Sequence, residues 1–370
     1  MARFEESGPR SPVVESIRVD LVHPRAQAGL AIRSVIGIVI VLIMLFPVIW
    51  VAMTVFKTRP DTVAVPPKFI PYVEDGLLSD FCMEPQLNKD GSVKLDKDGQ
   101  PVLKEKSICF DVVLEGAVGL FFERRTLTAA QQKKYADDPN LGWADRILLK
   151  RGTLITGPSE FVQRFRNSLI IAGTSTVLSV AFGLLAAYAF SRWDISGKPD
   201  LLFFILSTRM LPPVVVTIPL FLMYRQLGVY DTHIGMILLY TVFNLSFSVW
   251  LLKGFIDEIP REYEEAALVD GYSRLQAFRK VVLPQAMTGI AATTVFCLIF
   301  AWNEYAFSLM LTSDVARTAP PSIATTQGAG GLEYAIIAMA SMLFLIPVVV
   351  VTFALRQHLL RGVTFGAIRQ

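Results

Sequence analysis

The sequence has little charge, little cysteine and little histidine. Of 370 residues only 18% are charged, three are cysteine and three are histidine, whereas 53% are hydrophobic and mean hydropathy is +0.48. That balance excludes a soluble globule of ordinary composition. The net charge of +3 comes with no basic cluster and no basic patch interleaved with aromatics, which excludes a nucleic-acid partner. His23, His233 and His358 stand apart without metal-ligand spacing, so no metal site is expected. The glycine-rich stretch 328–331 lacks the Lys-Ser/Thr that completes a phosphate loop and reads as a turn. No nucleophile is paired with a base, and no cofactor is expected on this chain.

What the sequence does have is long apolar runs. Residues 34–56 carry no charge and are long enough to cross about 30 Å of hydrocarbon at about 1.5 Å per residue. A cleaved signal peptide would have a shorter apolar region and a small-residue cleavage site, so this segment is expected to stay as an anchor. Further spans are expected at 168–190, 201–224, 234–252, 289–312 and 334–355. Six spans put both termini on one side. Direction follows from basic residues in the short connecting segments. Arg3, Arg10, Arg18, Arg25 and Arg33, Arg192 and Lys198, Lys253, Arg261, Arg274, Arg279 and Lys280, and Arg356, Arg361 and Arg369 fall on one side; Arg225 and Arg317 fall on the other. Both termini are therefore expected in the cytoplasm, with the polar stretch after Lys57 outside.

That stretch, 57–165, has mixed charge, turn signals at Asp90-Gly91 and Asp98-Gly99, and short alternating runs at 92–95 and 101–104, which predict a hairpin. The Asp-Gly pairs lack the acidic spacing and closing Glu of a calcium loop and read as turns. Cys82 and Cys109 bracket the hairpin, and an oxidising exterior permits a Cys82–Cys109 disulfide, with two free thiols as the alternative. Short helices are expected at 126–135, with Thr128 as a cap, and at 143–150.

The segment 259–284, IPREYEEAALVDGYSRLQAFRKVVLP, is built like two short helices. Pro260 suits a first turn, Glu262, Glu264 and Glu265 favour its positive end, and Tyr263, Ala266 and Ala267 give it one contact face. Gly271 ends it; Ser273 with Gln276 forms a capping-box pattern; Leu275, Phe278 and Val282 share the next face; Leu283-Pro284 closes the pair. From helix patterning alone, a force-transmitting elbow and an interfacial amphipathic loop fit equally. Glu265-Ala266-Ala267, Gly271 four places later, then Val281, Leu283 and Pro284 resemble the EAA loop of permease subunits in binding-protein-dependent ABC importers, with Val281 where the family pattern has Ile. Thr208-Arg209-Met210-Leu211-Pro212-Pro213, Ala301-Trp302-Asn303-Glu304-Tyr305 and the tail from Arg361 to Ala367 look like the maltose-type branch, which imports carbohydrates and polyols.

The resemblance implies an all-α polytopic membrane protein of the bacterial inner membrane, with six transmembrane helices and a small α+β extracytoplasmic insert between the first two. Its parts would be a cytoplasmic tail (1–33), a first helix (34–56), a periplasmic insert (57–165), a five-helix core (166–355) with coupling loop 253–288, and a cytoplasmic tail (356–370). Glu265, Ala266, Ala267, Asp270, Gly271, Leu283 and Pro284 would couple to an ATPase, with 362–370 as a second contact. The partners implied are a second permease, two ATPase subunits carrying ATP and Mg, a periplasmic binding protein and membrane lipid; the chain itself would be no enzyme. The insert is longer than the family's usual connection; it could dock the binding protein or brace the neighbouring subunit. Charged groups at membrane depth normally face a partner or water. Arg209, Asn244, Trp302, Asn303 and Glu304 are therefore expected to line or gate a path, with Trp302 offering a flat face to a sugar ring. Alternatively, Arg209 and Glu304 form an internal ion pair or cap broken helices. An intramembrane enzyme or a receptor built on the insert would leave the EAA string unexplained.

Overall fold

The computed structural model describes residues 24–57, 59–63, 83–86, 102–105, 115–136, 141–142, 152–328 and 331–366, with the single positions Val65, Phe69, Asp145 and Leu149. Helix α1 (Pro24–Thr54) holds the first apolar run, and its part from Ile32 to Thr54 is long enough to cross a membrane. Ile36, Val39, Leu42 and Ile43 on it are exposed, as side chains facing lipid must be. Past its end the chain turns back: the Lys57 ammonium lies 4.2 Å from the centre of the Trp50 ring beside α2 (Arg59–Thr62). Burial lowers the Lys57 pKa, against the opposing pull of Asp61.

The insert contains strands β1 (Met83–Pro85) and β2 (Leu103–Glu105), which pair antiparallel with Met83 opposite Glu105. The predicted run 101–104 thus overlaps β2, whose partner is Met83–Pro85. The run 92–95, both Asp-Gly turns, Cys82 and Cys109 lie outside the described residues. Helix α3 (Glu115–Phe121) leads into β3 (Phe122–Thr126), and α4 (Ala129–Ala136) precedes β4 (Thr153–Pro158), which pairs antiparallel with β3. The helix expected from residue 126 starts at Ala129, because Phe122–Thr126 is taken by the β3 ladder. Thr128 sits at its entry as predicted, its N–H donating to Gln131 Oε1 at 3.1 Å. Of the helix expected at 143–150, only Asp145 and Leu149 are described, both helical.

Helix α5 (Phe161–Arg192) runs alongside α8 (His233–Asp257). Small residues let them approach: a Cβ on Gly183 would sit 2.4 Å from that of Ser248, and Ser179 Oγ donates to Thr241 O at 3.1 Å. Between them in sequence, α6 (Lys198–Ser207), a 3₁₀ turn (Thr208–Met210) and α7 (Pro213–Gln226) replace the single span expected at 201–224. The chain bends there by 91°. Pro212 explains it, since it lacks an N–H and forces Leu211 into extended backbone, while Pro213 restarts a helix at its first turn.

After α8 come α9 (Glu262–Val269) and α10 (Arg274–Gln285), which bends by 72° into α11 (Met287–Trp302). The expected span 289–312 is likewise broken, with α11 ending at Trp302 and α12 (Ala306–Leu311) starting afresh. Helix α13 (Ala319–Ala324) precedes β5 (Gln327–Gly328) and β6 (Gly331–Leu332), a small antiparallel pair, and the two residues between them lie outside the described residues. Helix α14 (Tyr334–Gly366) closes the chain. Among the described residues four helices suffice to cross a membrane, Ile32–Thr54, Phe161–Arg192, His233–Asp257 and Tyr334–His358, and up to six segments do if each bent pair is one span.

Helix α3 of the insert is seated on the bundle. Gly116 of α3 meets Ala335 O and Val55 O so closely that a Cβ would lie 2.7 and 2.9 Å from them, and Leu120 packs with Phe161, Ala319, Ile336 and Ala340.

Candidate functional site: an elbow at one end, a small cavity in the bundle

The elbow is set by local chemistry. Pro260 stands just ahead of α9, whose first turn holds Glu262, Glu264 and Glu265. Gly271 takes φ +87°, which a Cβ disfavours, and the chain closes on α9 with Gly271 N–H to Leu268 O at 3.1 Å and Tyr272 N–H to Ala267 O at 3.0 Å. Ser273 and Gln276 then form both halves of the predicted capping box. A π-helical turn at Phe278–Val282 buries both those residues against Leu252, Ile256 and Ile259. Leu275 does not join them and is 64% exposed. With Val269 at 87% and with Tyr263, Leu268 and Tyr272, it makes an apolar tip. Glu265, Ala266, Asp270, Gly271 and Pro284 face outward, Leu283 is half-buried and Ala267 is buried.

Below the tip, side chains clasp the elbow to α5. Glu264 is buried; its Oε1 pairs with Arg192 Nε and its Oε2 accepts from Tyr188 OH at 2.8 Å. Arg192 Nη2 donates to Ile259 O at 3.0 Å, and Arg261 Nη2 returns a bond to Ser191 O at 2.8 Å. Ser191 Oγ donates to Asp257 Oδ1 at 2.5 Å, and Asp257 pairs with Lys253. Sequence reasoning missed Tyr188 and Ser191, used Arg192 only as a charge that sets orientation and gave Glu264 only a helix-end charge, because the partners lie 72 and 76 residues apart.

Within the bundle a cavity of about 220 Å³ is lined by Arg209, Tyr240, Asn244, Phe300 and Glu304, among others. It sits where the breaks after Met210 and after Trp302 meet. Arg209 Nη1 donates to Phe243 O at 3.0 Å, and its guanidinium lies 4.1 Å from the Phe300 ring centre and 5.3 Å from that of Phe247. Glu304 makes no ion pair with Arg209. It caps α12, accepting from Phe307 N–H at 2.9 Å, Ser308 N–H at 3.1 Å and Tyr240 OH at 2.7 Å. Asn244 is buried and donates to Cys297 O at 3.1 Å.

The other two expected path residues are placed elsewhere. Trp302 is 2% exposed, stacks on Phe344 with ring centres 4.5 Å apart and donates Nε1–H to Phe344 O at 2.9 Å. Its flat face is therefore covered by the core, which corrects the sugar platform expected of it. Asn303 is exposed and donates to Ile299 O at 2.9 Å, finishing α11.

At the end opposite the elbow, the structure has a junction that the sequence did not announce. Asp231, at φ +55°, accepts from the backbone N–H groups of Ser313, Asp314, Val315 and Ala316 at 3.0–3.1 Å and from Ser313 Oγ at 2.9 Å. Burial works to raise the Asp231 pKa, but the four backbone N–H groups outweigh it and hold the carboxyl at about 2. Asn167 of α5 donates to Val315 O and Arg317 O and meets His233 Nε2 at 2.9 Å. Among the described residues no three His, Cys, Asp or Glu side chains are grouped to hold a metal ion.

Comparison with known proteins agrees with this architecture. The trehalose transport system permease protein SugB of Mycobacterium tuberculosis is 36% identical over 206 residues, covering 55% of this chain and 75% of that protein. The trehalose/maltose transport system permease protein MalG of Thermococcus litoralis is 32% identical over 212 residues, covering 57% and 76%. A crystal structure of a bacterial ABC transporter involved in the import of the acidic polysaccharide alginate shares the fold, with TM-score 0.56 at 17% identity over 90% of this chain and 98% of that one. Residues 179–365 match the family described as "Binding-protein-dependent transport system inner membrane component", and they span both the elbow and the cavity. The chain is thus a multi-pass transport subunit and belongs to the inner membrane components of binding-protein-dependent transport systems.

Proposed function

We propose that this chain is the permease subunit of an ATP-driven importer that carries a sugar, polyol or glycoside delivered by a periplasmic binding protein. The observation that carries this reading is the elbow: the EAA string lies on a two-helix turn whose apolar tip is exposed while its base is clasped to α5. A tip of that kind fits a groove on a partner that moves. The partner is an ATPase pair holding ATP and Mg, with a second permease completing the pathway. Glu265 anchors that contact, Ala266 and Ala267 permit close approach, Asp270 and Gly271 shape the bend, and Leu283-Pro284 sets the second arm. The relatives that transport trehalose, maltose and other glycosides support the choice of substrate class. Another small polar solute is the alternative.

In this reading six segments span the membrane, with 201–224 and 289–312 each counted once despite their breaks, and both termini are cytoplasmic. The insert, 57–165, is periplasmic and closed by Cys82–Cys109. Solute passes beside Arg209, Asn244 and Glu304, with Trp302 and Asn303 holding the wall behind them. Purification of the tagged chain from its native membrane tests the core of the proposal. Stoichiometric recovery of an ATPase pair and a second permease is expected, along with ATP-dependent uptake after reconstitution with the binding protein. A chain recovered alone would sink it, and uptake of a non-carbohydrate solute only would select the alternative. Mass spectrometry of unreduced peptides finding both thiols free would remove the disulfide.

A further inference from the structure

We propose that Arg192 and Glu264 form a positioning latch through which the elbow moves α5, a helix to which the elbow is not joined in sequence. The inference rests on the importer reading above. Covalently the elbow hangs only between α8 and α11, and a short helix held by two peptide links can rock without carrying its surroundings. The clasp removes that freedom.

The Arg192 and Glu264 side chains are 8% and 10% exposed. Arg192 spends one N–H on the Glu264 carboxylate and another on Ile259 O in the linker between α8 and α9. Arg261 reaches back from the elbow to the Ser191 carbonyl, so each side both gives and receives. Tyr188, one turn earlier on α5, holds the second Glu264 oxygen while its ring rests on Phe278 of α10 with centres 4.6 Å apart. The last turn of α5 thus grips both arms of the elbow. Higher up, α5 is packed against α8 at Gly183 and Ser248 with no room for a methyl, so a displacement entering at Arg192 passes along the helix pair.

A buried ion pair is a poor way to gain stability, since apolar groups of the same shape usually do as well. Its directional bonds do fix the angle at which two elements meet, which is what a force-bearing joint requires. Glu264 and Glu265 accordingly divide the work. The first faces α5 and the second faces outward.

The test uses the complete importer in proteoliposomes and reads solute taken up per ATP hydrolysed. For Arg192→Gln and for Glu264→Gln, the ATPases are expected to co-purify as with wild type while the uptake-to-hydrolysis ratio falls between about twofold and thirtyfold, the range of coupling changes along such networks. The exchange Arg192→Glu with Glu264→Arg is expected to recover part of the ratio, which a merely structural role would not predict. An unchanged ratio in both single variants, or losses that track only the amount of assembled complex, would overturn the latch. If neither single variant assembles, Tyr188→Phe is read instead: it removes one hydrogen bond, a lowered ratio supports the latch, and an unchanged ratio overturns it. Failure of the importer reading would look different, because the wild-type chain would then recover no ATPase.

Discussion

Glu304→Gln separates two roles that one side chain holds together. The carboxylate serves three donors, Phe307 N–H at one oxygen and Ser308 N–H and Tyr240 OH at the other. An amide keeps a single acceptor. Placed toward Ser308 and Tyr240, its oxygen leaves the NH₂ group facing the Phe307 N–H, two donors with no acceptor between them; turned around, it abandons two donors. Either way at least one hydrogen bond to a charged group is lost in a half-buried setting, about 1.5–3 kcal/mol, and the cap of α12 is weakened by a similar amount to a lost helix cap, about 0.5–2 kcal/mol. These two figures describe overlapping interactions, so about 2–3 kcal/mol is the expected loss. Phe307, on the first turn of α12, is part of the cavity wall and is carried by that turn. The purified complex should therefore unfold at a lower denaturant or temperature midpoint, and uptake per folded complex should fall about tenfold, the equivalent of roughly 1.4 kcal/mol in the transport barrier. An unchanged midpoint would refute the capping argument. A lowered midpoint with normal uptake per folded complex would leave the cap standing and remove Glu304 from the path.

Gly271→Val forces a branched side chain to φ +87°, a conformation that costs roughly 1–2 kcal/mol for a residue with a Cβ, so the two elbow arms should misalign and uptake per ATP should drop in vesicles while the chain still inserts. Asp231→Asn removes the charge that collects four backbone N–H groups. Because the folded pKa, about 2, lies below the ordinary carboxylate value, the stabilisation is fully present above about pH 4 and is lost as pH falls toward 2. Denaturation midpoints should differ between wild type and variant at neutral pH and converge as the pH is lowered through that window. Gly183→Ala would place a methyl 2.4 Å from the Ser248 Cβ and push α5 from α8, with a destabilisation of about 1–3 kcal/mol that Ser248→Gly should relieve in a thermal melt of the double variant.

What could be read from the sequence was what closes within a turn or two of chain. The apolar runs announced their helices because each needs only its own residues to be long and uncharged. The elbow was legible almost residue by residue, since Gly271, the Ser273–Gln276 box and the acidic first turn act over a few positions. Pro212 and Pro213 were visible as helix breakers, but a 91° turn is a matter of where the next helix packs, and composition made one span of it. Trp302 was misplaced for the same reason. Beside Asn303 and Glu304 it looked like part of a polar path, and only Phe344, 42 residues further on, puts its ring in the core.

The adjacent pair Glu264 and Glu265 shows the limit most sharply. Successive residues on an α-helix point about 100° apart, so two neighbouring carboxylates on α9 cannot share a face. One must look toward the bundle if the other looks toward the tip. The EAA string singles out the outward residue, because a surface meant for a partner shows itself as an unusual run of small and acidic types in one place. The inward residue carries no such signature. Its identity as an anchor depends on Arg192 and Tyr188, which approach from another helix and belong to a different stretch of sequence. A motif therefore marks the half of a joint that faces the partner, and the half that holds the joint to its own subunit becomes visible only when the helices are packed.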